Sequence, residues 1–434
     1  MKLYWQSACG RYKIYNSAAG EIVPDDLPPI DALVTDPPYE IGFMGHGWDS
    51  AGVSFNKKTW EQVLSKLKPG AHGLVFGGCR TFHRIAVAAE DAGFDLRDTL
   101  MWVTGQGFPK GLNISKAIDA HLGLEREVVG HIVRGDVEVA KNSGSTIASA
   151  DANKNNKSIF GYGVEKITKP ASEIALRYSG FNTNLKPAYE PILLLRKPVE
   201  GTIAENVITH GVGGINIGAC RVGTDDTRSK TSPTNFGIIS DDSWKPNIVM
   251  AGPACGRWPA NFLHDGSEDV LDCFPDAGGQ QGDLVGHNKD SVSPNGIYGS
   301  MGPKSDAIAR IDESKSAARF FYCAKVSKKE RNEGMGDSKN NHVTVKPQGL
   351  MQFCNRLICP PGGIILDPFL GSGSTMVAAV NQGFSCIGVD ISEEYCEIAK
   401  RRVEHALKKL GDDVDEKSKI SSTKQSPVPL DNTI

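Results

Sequence analysis

The feature that most limits how this chain can fold lies near its C-terminal end, in Ile364-Ile365-Leu366-Asp367-Pro368-Phe369-Leu370-Gly371-Ser372-Gly373-Ser374-Thr375. An apolar run followed by two closely spaced glycines reads as a buried strand, a tight turn and a helix start, with Ser374 and Thr375 placed to cap the helix. A second apolar run, Cys386-Ile387-Gly388-Val389, ends at Asp390, seventeen residues after Gly373. That spacing is close to the one at which nucleotide-binding strand–helix–strand units place the acid that holds ribose hydroxyls. The turn is F-x-G-x-G, however, and no lysine follows it as in a phosphate-binding loop. Asp367 at the strand end would repel a pyrophosphate. It would tolerate a ligand with an ammonium group and a sulfonium, and S-adenosylmethionine carries both.

A second strand-and-turn sits near the N-terminus. Ala32-Leu33-Val34-Thr35 reads as a central strand of a parallel sheet, and Asp36-Pro37-Pro38-Tyr39 follows it directly. The turn therefore falls at the carboxyl edge of the sheet, where α/β proteins bind ligands. An exocyclic amine such as N6 of adenine is a poor nucleophile, because its lone pair is delocalised into the ring. The Asp36 carboxylate and the Pro37 carbonyl can each accept one amine hydrogen, which localises that lone pair. Both prolines fix φ and so position the acceptors in advance. Tyr39 offers a flat face for an extruded base, a contact worth about 1–3 kcal/mol. A plain proline turn with a surface carboxylate and a packed tyrosine is the alternative for the tetrapeptide alone. Its occurrence together with the glycine turn argues against that alternative.

Between and around these motifs the texture of the chain changes. Residues 1–110 alternate strand and helix patterns, with a helix at 59–68, a strand at 71–76, a helix at 82–92 and a strand at 96–103. Residues 111–185 form a polar insertion whose Asn- and Ser-rich stretch 142–156 has no period, and 186–198 hold another central strand. Residues 199–335 are rich in Gly, Ser, Asp and Asn and read as an irregular recognition region, within which Trp258 is expected to be core. Regular alternation returns over 336–411, and 412–434 read as a disordered tail.

The net charge is −3, from 48 basic and 51 acidic residues, so a nucleic-acid surface would have to be local, the run Lys325, Lys328, Lys329 and Arg331 being one such patch. The ten cysteines contain no C-x-x-C pair and the histidines no ligand-spaced cluster, so buried reduced thiols and no metal are expected. No apolar run reaches the length of a signal peptide or a membrane span, which leads us to expect a cytoplasmic protein.

At these residues the chain resembles the β-class DNA amino-methyltransferases, in which D-P-P-Y comes first, the target-recognition region follows, and the cofactor motif is last. The same order appears here, with Thr344-x-Lys346-Pro347 preceding the glycine turn. The similarity extends to Ile41-Gly42-Phe43-Met44-Gly45, to Arg80-Thr81-Phe82-His83, and to Lys186-Pro187 before Glu190-Pro191. The resemblance implies a circularly permuted α/β fold, the Rossmann-like S-adenosylmethionine-dependent methyltransferase sheet. That sheet is mostly parallel, with one antiparallel strand at 190–196 and a large irregular recognition insertion.

It further implies catalysis and base binding by Asp36, Pro37, Pro38 and Tyr39. Cofactor binding falls to Asp367, Phe369, Gly371, Gly373 and Asp390, with Thr344 and Lys346 nearby. The implied partner is double-stranded DNA, methylated at N6 of adenine. N4 of cytosine is the chemically equivalent alternative, though its enzymes mostly carry Ser at the position of Asp36, and an RNA or protein methyltransferase is a more distant one. A homodimer and an accompanying restriction endonuclease are both compatible with the sequence, which determines neither. One departure stands out: where the family often has Gly-Asp, this chain has Tyr15-Asn16-Ser17.

Overall fold

The structure, a computed structural model, describes residues 1–21, 27–41, 51–105, 111–134, 163–222, 257–276, 316–324, 330–336, 340, 342 and 345–422. Among the described residues, twelve strands run in chain order: β1 Lys2–Gln6, β2 Tyr12–Asn16, β3 Ile30–Thr35, β4 Leu67–Phe76, β5 Asp95–Val103, β6 Val128–Arg134, β7 Gly163–Thr168, β8 Tyr189–Arg196, β9 Phe262–His264, β10 Tyr322–Cys323, β11 Ile364–Asp367 and β12 Ser385–Asp390. The helices that matter below are α1 Lys57–Lys66, α2 Phe82–Asp91, α3 Ile114–His121, α4 Glu173–Arg177, α5 Ile203–His210, α6 Glu268–Leu271, α7 Gln348–Ile358, α8 Ser374–Gln382 and α9 Glu393–Ser422.

Ten strands form one sheet in the order β1-β2-β12-β11-β3-β4-β8-β5-β9-β10. The strands at its centre are uninterrupted apolar runs because both faces are covered. Alternation along each strand sends Ala32, Val34, Leu74, Phe76 and Ile365 into a core shared with α7, α8 and α9. It sends Leu33, Val75 and Leu366 into a second core shared with α1 and α2. Helices on both faces of a mostly parallel sheet make the doubly wound α/β architecture expected from the strand–helix alternation.

Two features of this sheet position the site. First, strand order reverses between β11 and β3, which lie side by side in parallel with Ile365 opposite Ala32 and Leu366 opposite Leu33. Connections leave these two strands in opposite directions, so a crevice opens outside their carboxyl ends. Second, β8 runs antiparallel to both of its neighbours, β4 and β5. Its first residues therefore reach the edge at which the parallel strands finish, with Tyr189 opposite Val103 and Ile192 opposite Phe76. A further antiparallel pair, β1 with β2, closes one side of the sheet.

The chain divides into two compact units, Met1–Gln106 with Ala188–Ile434, and Gly107–Pro187. The second contains α3, α4 and the antiparallel β6–β7 hairpin, more regular structure than its polar composition suggests. It is tied by buried Asp119, which pairs with Arg126 at 2.8 Å and accepts from the Ser172 hydroxyl at 2.6 Å. Residues 142–156 lie outside the described residues.

Three expectations are corrected. The region 199–335 is not wholly irregular, since β9 and β10 extend the main sheet with Leu263 fully buried, and Met101 pairs with Phe262 across β5. Trp258 is not core: it is 66% exposed, with the Arg221 guanidinium 5.5 Å from its ring centre. Finally, α9 continues to Ser422, into the 412–434 segment expected as a disordered tail, of which 423–434 lie outside the described residues. One glycine within a run rich in Lys, Glu and Asp costs a helix only about 1 kcal/mol.

Candidate active site

The two turns meet. The Thr35 hydroxyl at the end of β3 donates to Asp367 Oδ1 at the end of β11 over 2.7 Å, joining positions 332 residues apart. The glycine turn is built as its sequence suggests, with Gly371 at φ +50° and Gly373 at φ +77°, conformations that L side chains rarely adopt. A Cβ on Gly373 would stand 2.9 Å from that of Ala399, so α9 can pack against the turn only because the position is glycine.

Gly373 is itself the N-cap of α8, and no side chain caps the helix. Ser374, expected as a cap, is contacted instead by Arg402, whose Nη1 donates to the Ser372 carbonyl, to the Ser372 hydroxyl at 3.0 Å and to Ser374 Oγ at 3.4 Å. Burial lowers the Arg402 pKa to about 10, against the opposing influence of Glu333 and Glu330. A buried guanidinium thus holds the turn from behind.

Two acids face this turn. Asp390 accepts from the Gly371 N–H at 2.7 Å on Oδ2 and from the Ser392 N–H at 2.8 Å on Oδ1, which leaves lone pairs on both oxygens. Asp367 accepts from Thr35 and from the Phe369 N–H at 3.2 Å. Neither carboxylate is paired with a cation among the described residues, and burial raises both pKa values to about 6. At the position of the usual Gly-Asp pair, the Asn16 amide donates to the carbonyls of Asp390 at 3.1 Å and Ile391 at 3.0 Å. There it ties β2 to the end of β12.

The Asp36 turn is equally constrained. Glu40, directly after Tyr39, has φ +54°, the one positive φ among the described non-glycine residues. Strain of this kind costs roughly 1–3 kcal/mol and persists only where neighbours over-determine it. They do so here: Glu40 accepts from the Gly52 N–H at 2.7 Å and the Ser54 hydroxyl at 3.1 Å. The Ser54 hydroxyl also lies 2.7 Å from the Pro38 carbonyl, and Trp60 Nε1 donates to the Ser54 carbonyl at 2.8 Å.

The resemblance placed Lys346 near the cofactor residues, and the structure puts its side chain at the adjoining Asp36 turn. Its ammonium joins the Asp36 turn, 2.6 Å from Glu190 Oε2, 3.0 Å from the Tyr39 oxygen and 3.2 Å from Asp36 Oδ2. The Tyr39 hydroxyl lies 2.9 Å from Asp36 Oδ1 and 3.1 Å from Glu190 Oε2. The Tyr39 and Phe76 rings flank the ammonium at 5.4 Å and 5.0 Å. Burial alone would discharge Lys346, yet the carboxylates of Asp36 and Glu190 hold its pKa above the ordinary value. Burial likewise raises Asp36, opposed by Lys346, and raises Tyr39 well above the usual phenol value, with Asp36 and Glu190 adding to it.

Of the residues singled out from the sequence, Asp36 and Tyr39 therefore share one cluster with Lys346, while Asp367, Phe369, Gly371, Gly373 and Asp390 surround the adjoining turn. Pro37 is buried and Pro38 partly exposed. Thr344 and most of 41–45 lie outside the described residues, as do Lys325, Lys328 and Lys329. Sequence reasoning missed Glu190 and Arg402. Glu190 had a signal, an acid directly before Pro191 at the start of a central strand, but only the antiparallel direction of β8 brings it to this edge.

The family model described as DNA methylase matches residues 30–401. Among curated proteins, the chain is 26% identical over 130 residues to the type II methyltransferase M.SmaI of Serratia marcescens, covering 27% of this chain and 44% of the other. It is 43% identical over 99 residues to the type II methyltransferase M2.DpnII of Streptococcus pneumoniae, covering 23% and 35%. It is also 39% identical over 70 residues to the DNA adenine methyltransferase YhdJ of Escherichia coli K12, covering 16% and 24%. The matched stretch spans less than half the length of each of these relatives. Among solved structures, M1.HpyAVI aligns with a TM-score of 0.37 at 14% identity, covering 90% of this chain and 98% of that one. The cytosine-N4-specific PvuII DNA methyltransferase aligns at 0.41 and 12% identity, covering 92% and 88%.

Proposed function

The chain belongs to the DNA methylase family, and from that membership we propose that it moves a methyl group from S-adenosylmethionine to N6 of an adenine extruded from double-stranded DNA. The observation that supports the reading is that the Asp36 turn and the glycine turn share one sheet edge, where the Thr35 hydroxyl bonds Asp367.

The donor set fits the cofactor. Buried Asp367 and partly buried Asp390, neither paired with a cation among the described residues, suit a ligand bearing an ammonium and a sulfonium. The lone pairs left on Asp390 suit ribose hydroxyls, and Gly371 and Gly373 let the backbone come close. When bound, S-adenosylmethionine supplies an electrophilic methyl group on its sulfonium.

The protein's part is to prepare the amine. Asp36 and the Pro37 carbonyl each accept one N6 hydrogen, so the lone pair localises on nitrogen and points away from both acceptors. As the methyl group passed from sulfur to nitrogen, the sulfur–carbon bond would break to leave a neutral thioether, and the adjacent Asp36 carboxylate would stabilise the positive charge arriving on nitrogen. The methylated nitrogen then loses a proton. Asp36 is suited to receive it, since burial makes its carboxylate a stronger base than an ordinary one. Tyr39 stacks on the extruded base.

Asp rather than Ser at position 36 supports adenine over cytosine. The type II names of the similar proteins support site-specific modification. The test is DNA methylated by the purified chain, digested to nucleosides and analysed by mass. N6-methyladenine is expected, with Asp36→Ala keeping cofactor affinity within about twofold while losing transfer by about 10²-fold or more. N4-methylcytosine as the main product would overturn the choice of base, and unchanged turnover by Asp36→Ala the role of Asp36.

A further inference from the structure

Lys346 has three ammonium hydrogens and three oxygens within 3.2 Å, one each from Asp36, Tyr39 and Glu190. The shortest of these contacts is to Glu190, not to Asp36. Tyr39 has one hydroxyl proton and two acceptors at nearly equal distance, Asp36 Oδ1 at 2.9 Å and Glu190 Oε2 at 3.1 Å. Asp36 is thus solvated by two donors that both have Glu190 as an alternative partner. An acceptor whose lone pairs are already taken binds an incoming amine poorly.

We propose that Glu190 is a positioning residue for methyl transfer: it draws the Lys346 ammonium and the Tyr39 hydroxyl toward itself, leaving the Asp36 carboxylate to accept the substrate amine. The inference rests on the functional reading above and adds a residue to it. When the amine arrives, the Tyr39 proton turns from Asp36 Oδ1 to Glu190 Oε2, a torsional change with no bond made or broken. Lys346 stays on Glu190 and keeps the second carboxylate from repelling the first. The antiparallel direction of β8 is what allows this, because a parallel strand would carry its first residue to the opposite edge.

The experiment compares the full chain with Glu190→Gln and Glu190→Asp, measuring kcat and KM on DNA, cofactor affinity by calorimetry, and the pH profile of kcat. The charged and titratable groups facing Asp36 are Lys346, Glu190, Tyr39 and Asp367. Removing the Glu190 charge removes a repulsion and leaves Lys346 wholly to Asp36, so the acid limb moves to lower pH while the plateau drops.

For Glu190→Gln we expect kcat to fall at least tenfold, cofactor affinity to hold within about twofold, and the acid limb to shift downward. Glu190→Asp, with its charge kept on a shorter stem, recovers part of the rate and restores the limb. A kcat within twofold of the parent overturns the proposal, and so does a lowered kcat with an unmoved acid limb. Should Glu190→Gln not fold, the limb and rate of Glu190→Asp decide alone, and a parental rate there with a shifted limb counts against it. A parent chain that transfers no methyl group to DNA defeats the underlying functional reading instead, a result recorded before either variant is made.

Discussion

Alanine at Gly373, with alanine at Gly383 as its counterpart, separates backbone strain from steric exclusion at the glycine turn. The two glycines bracket α8 with nearly the same conformation, φ +77° at Gly373 and φ +75° at Gly383. Their surroundings differ. A Cβ at Gly383 would meet nothing within 4 Å, whereas one at Gly373 would lie 2.9 Å from the Ala399 Cβ and 3.1 Å from its Cα. Both variants carry the left-handed penalty of about 1–2 kcal/mol. Only Gly373→Ala must also push α9 away from the turn, and overpacking of this kind adds typically about 1–3 kcal/mol.

Arg402 lies on the same helix one turn beyond Ala399, so displacing α9 also loosens its hold on Ser372. If that extra cost falls on the binding-competent turn, cofactor affinity drops about five- to a hundredfold, at about 1.4 kcal/mol per tenfold. Urea unfolding midpoints and calorimetric titration with S-adenosylmethionine measure the two quantities. Gly383→Ala should be modestly destabilised and bind like the parent. Equal losses of stability and affinity in the two variants would refute the steric argument.

Cofactor affinity should also depend on pH. Asp367 and Asp390 have pKa values raised to about 6 by burial. A cationic ligand prefers their ionised forms, so affinity weakens as pH falls through about 6, by up to tenfold per pH unit for each coupled group, and levels off at about pH 7, below the range of about 7.7–8.0 in which the ligand's own ammonium deprotonates. His342 beside the turn adds no charge change in that window, because burial, with Arg402, Lys346 and Arg331, pushes its pKa down to about 4. Calorimetry from pH 5 to 8 checks this, and an affinity that strengthens on acidification contradicts it. For Arg402→Met, loss of the charge-assisted bonds to the turn, about 1.5–3 kcal/mol each in net terms, should weaken cofactor binding by tenfold or more while leaving far-ultraviolet dichroism intact. Binding equal to the parent would show that the turn holds its shape without the guanidinium.

Much of the fold could be read along the chain because its central strands are buried on both faces. Ala32-Leu33-Val34 and Ile364-Ile365-Leu366 announce themselves as apolar runs, and the turns after them carry residue types that few other structures require. Helix and strand limits were read less well at 66–70. There β4 begins at Leu67, inside the helix expected over 59–68, and runs through the turn signal Pro69-Gly70. Tertiary pairing with β3 and β8 outweighs the turn signal. The site was legible in its two turns and illegible in what supports them. Arg402 is one charge among several on a polar helix, and nothing local distinguishes it from its exposed neighbours. Lys346 was visible as a motif residue, but its partners depend on the direction of β8, which no local pattern encodes. Glu190 looks like an ordinary strand opening until Lys346 and Tyr39 are placed against it.

The distance along the chain between the two turns is less of a burden than it looks. Closing a loop costs entropy that grows only with the logarithm of its length, about 0.6 kcal/mol per doubling. The 332-residue separation of Thr35 and Asp367 therefore costs only about 1.2 kcal/mol more than one a quarter as long would. That is comparable to the net worth of a single hydrogen bond, such as the one joining these two residues. What must be preserved is the parallel pairing of β11 with β3, since it alone sets the carboxyl ends of the two strands side by side. Along the chain, the segment Gly107–Pro187 falls between β5 and β8. Long intervening segments can thus differ in length and composition while Asp36 and the glycine turn keep a common edge.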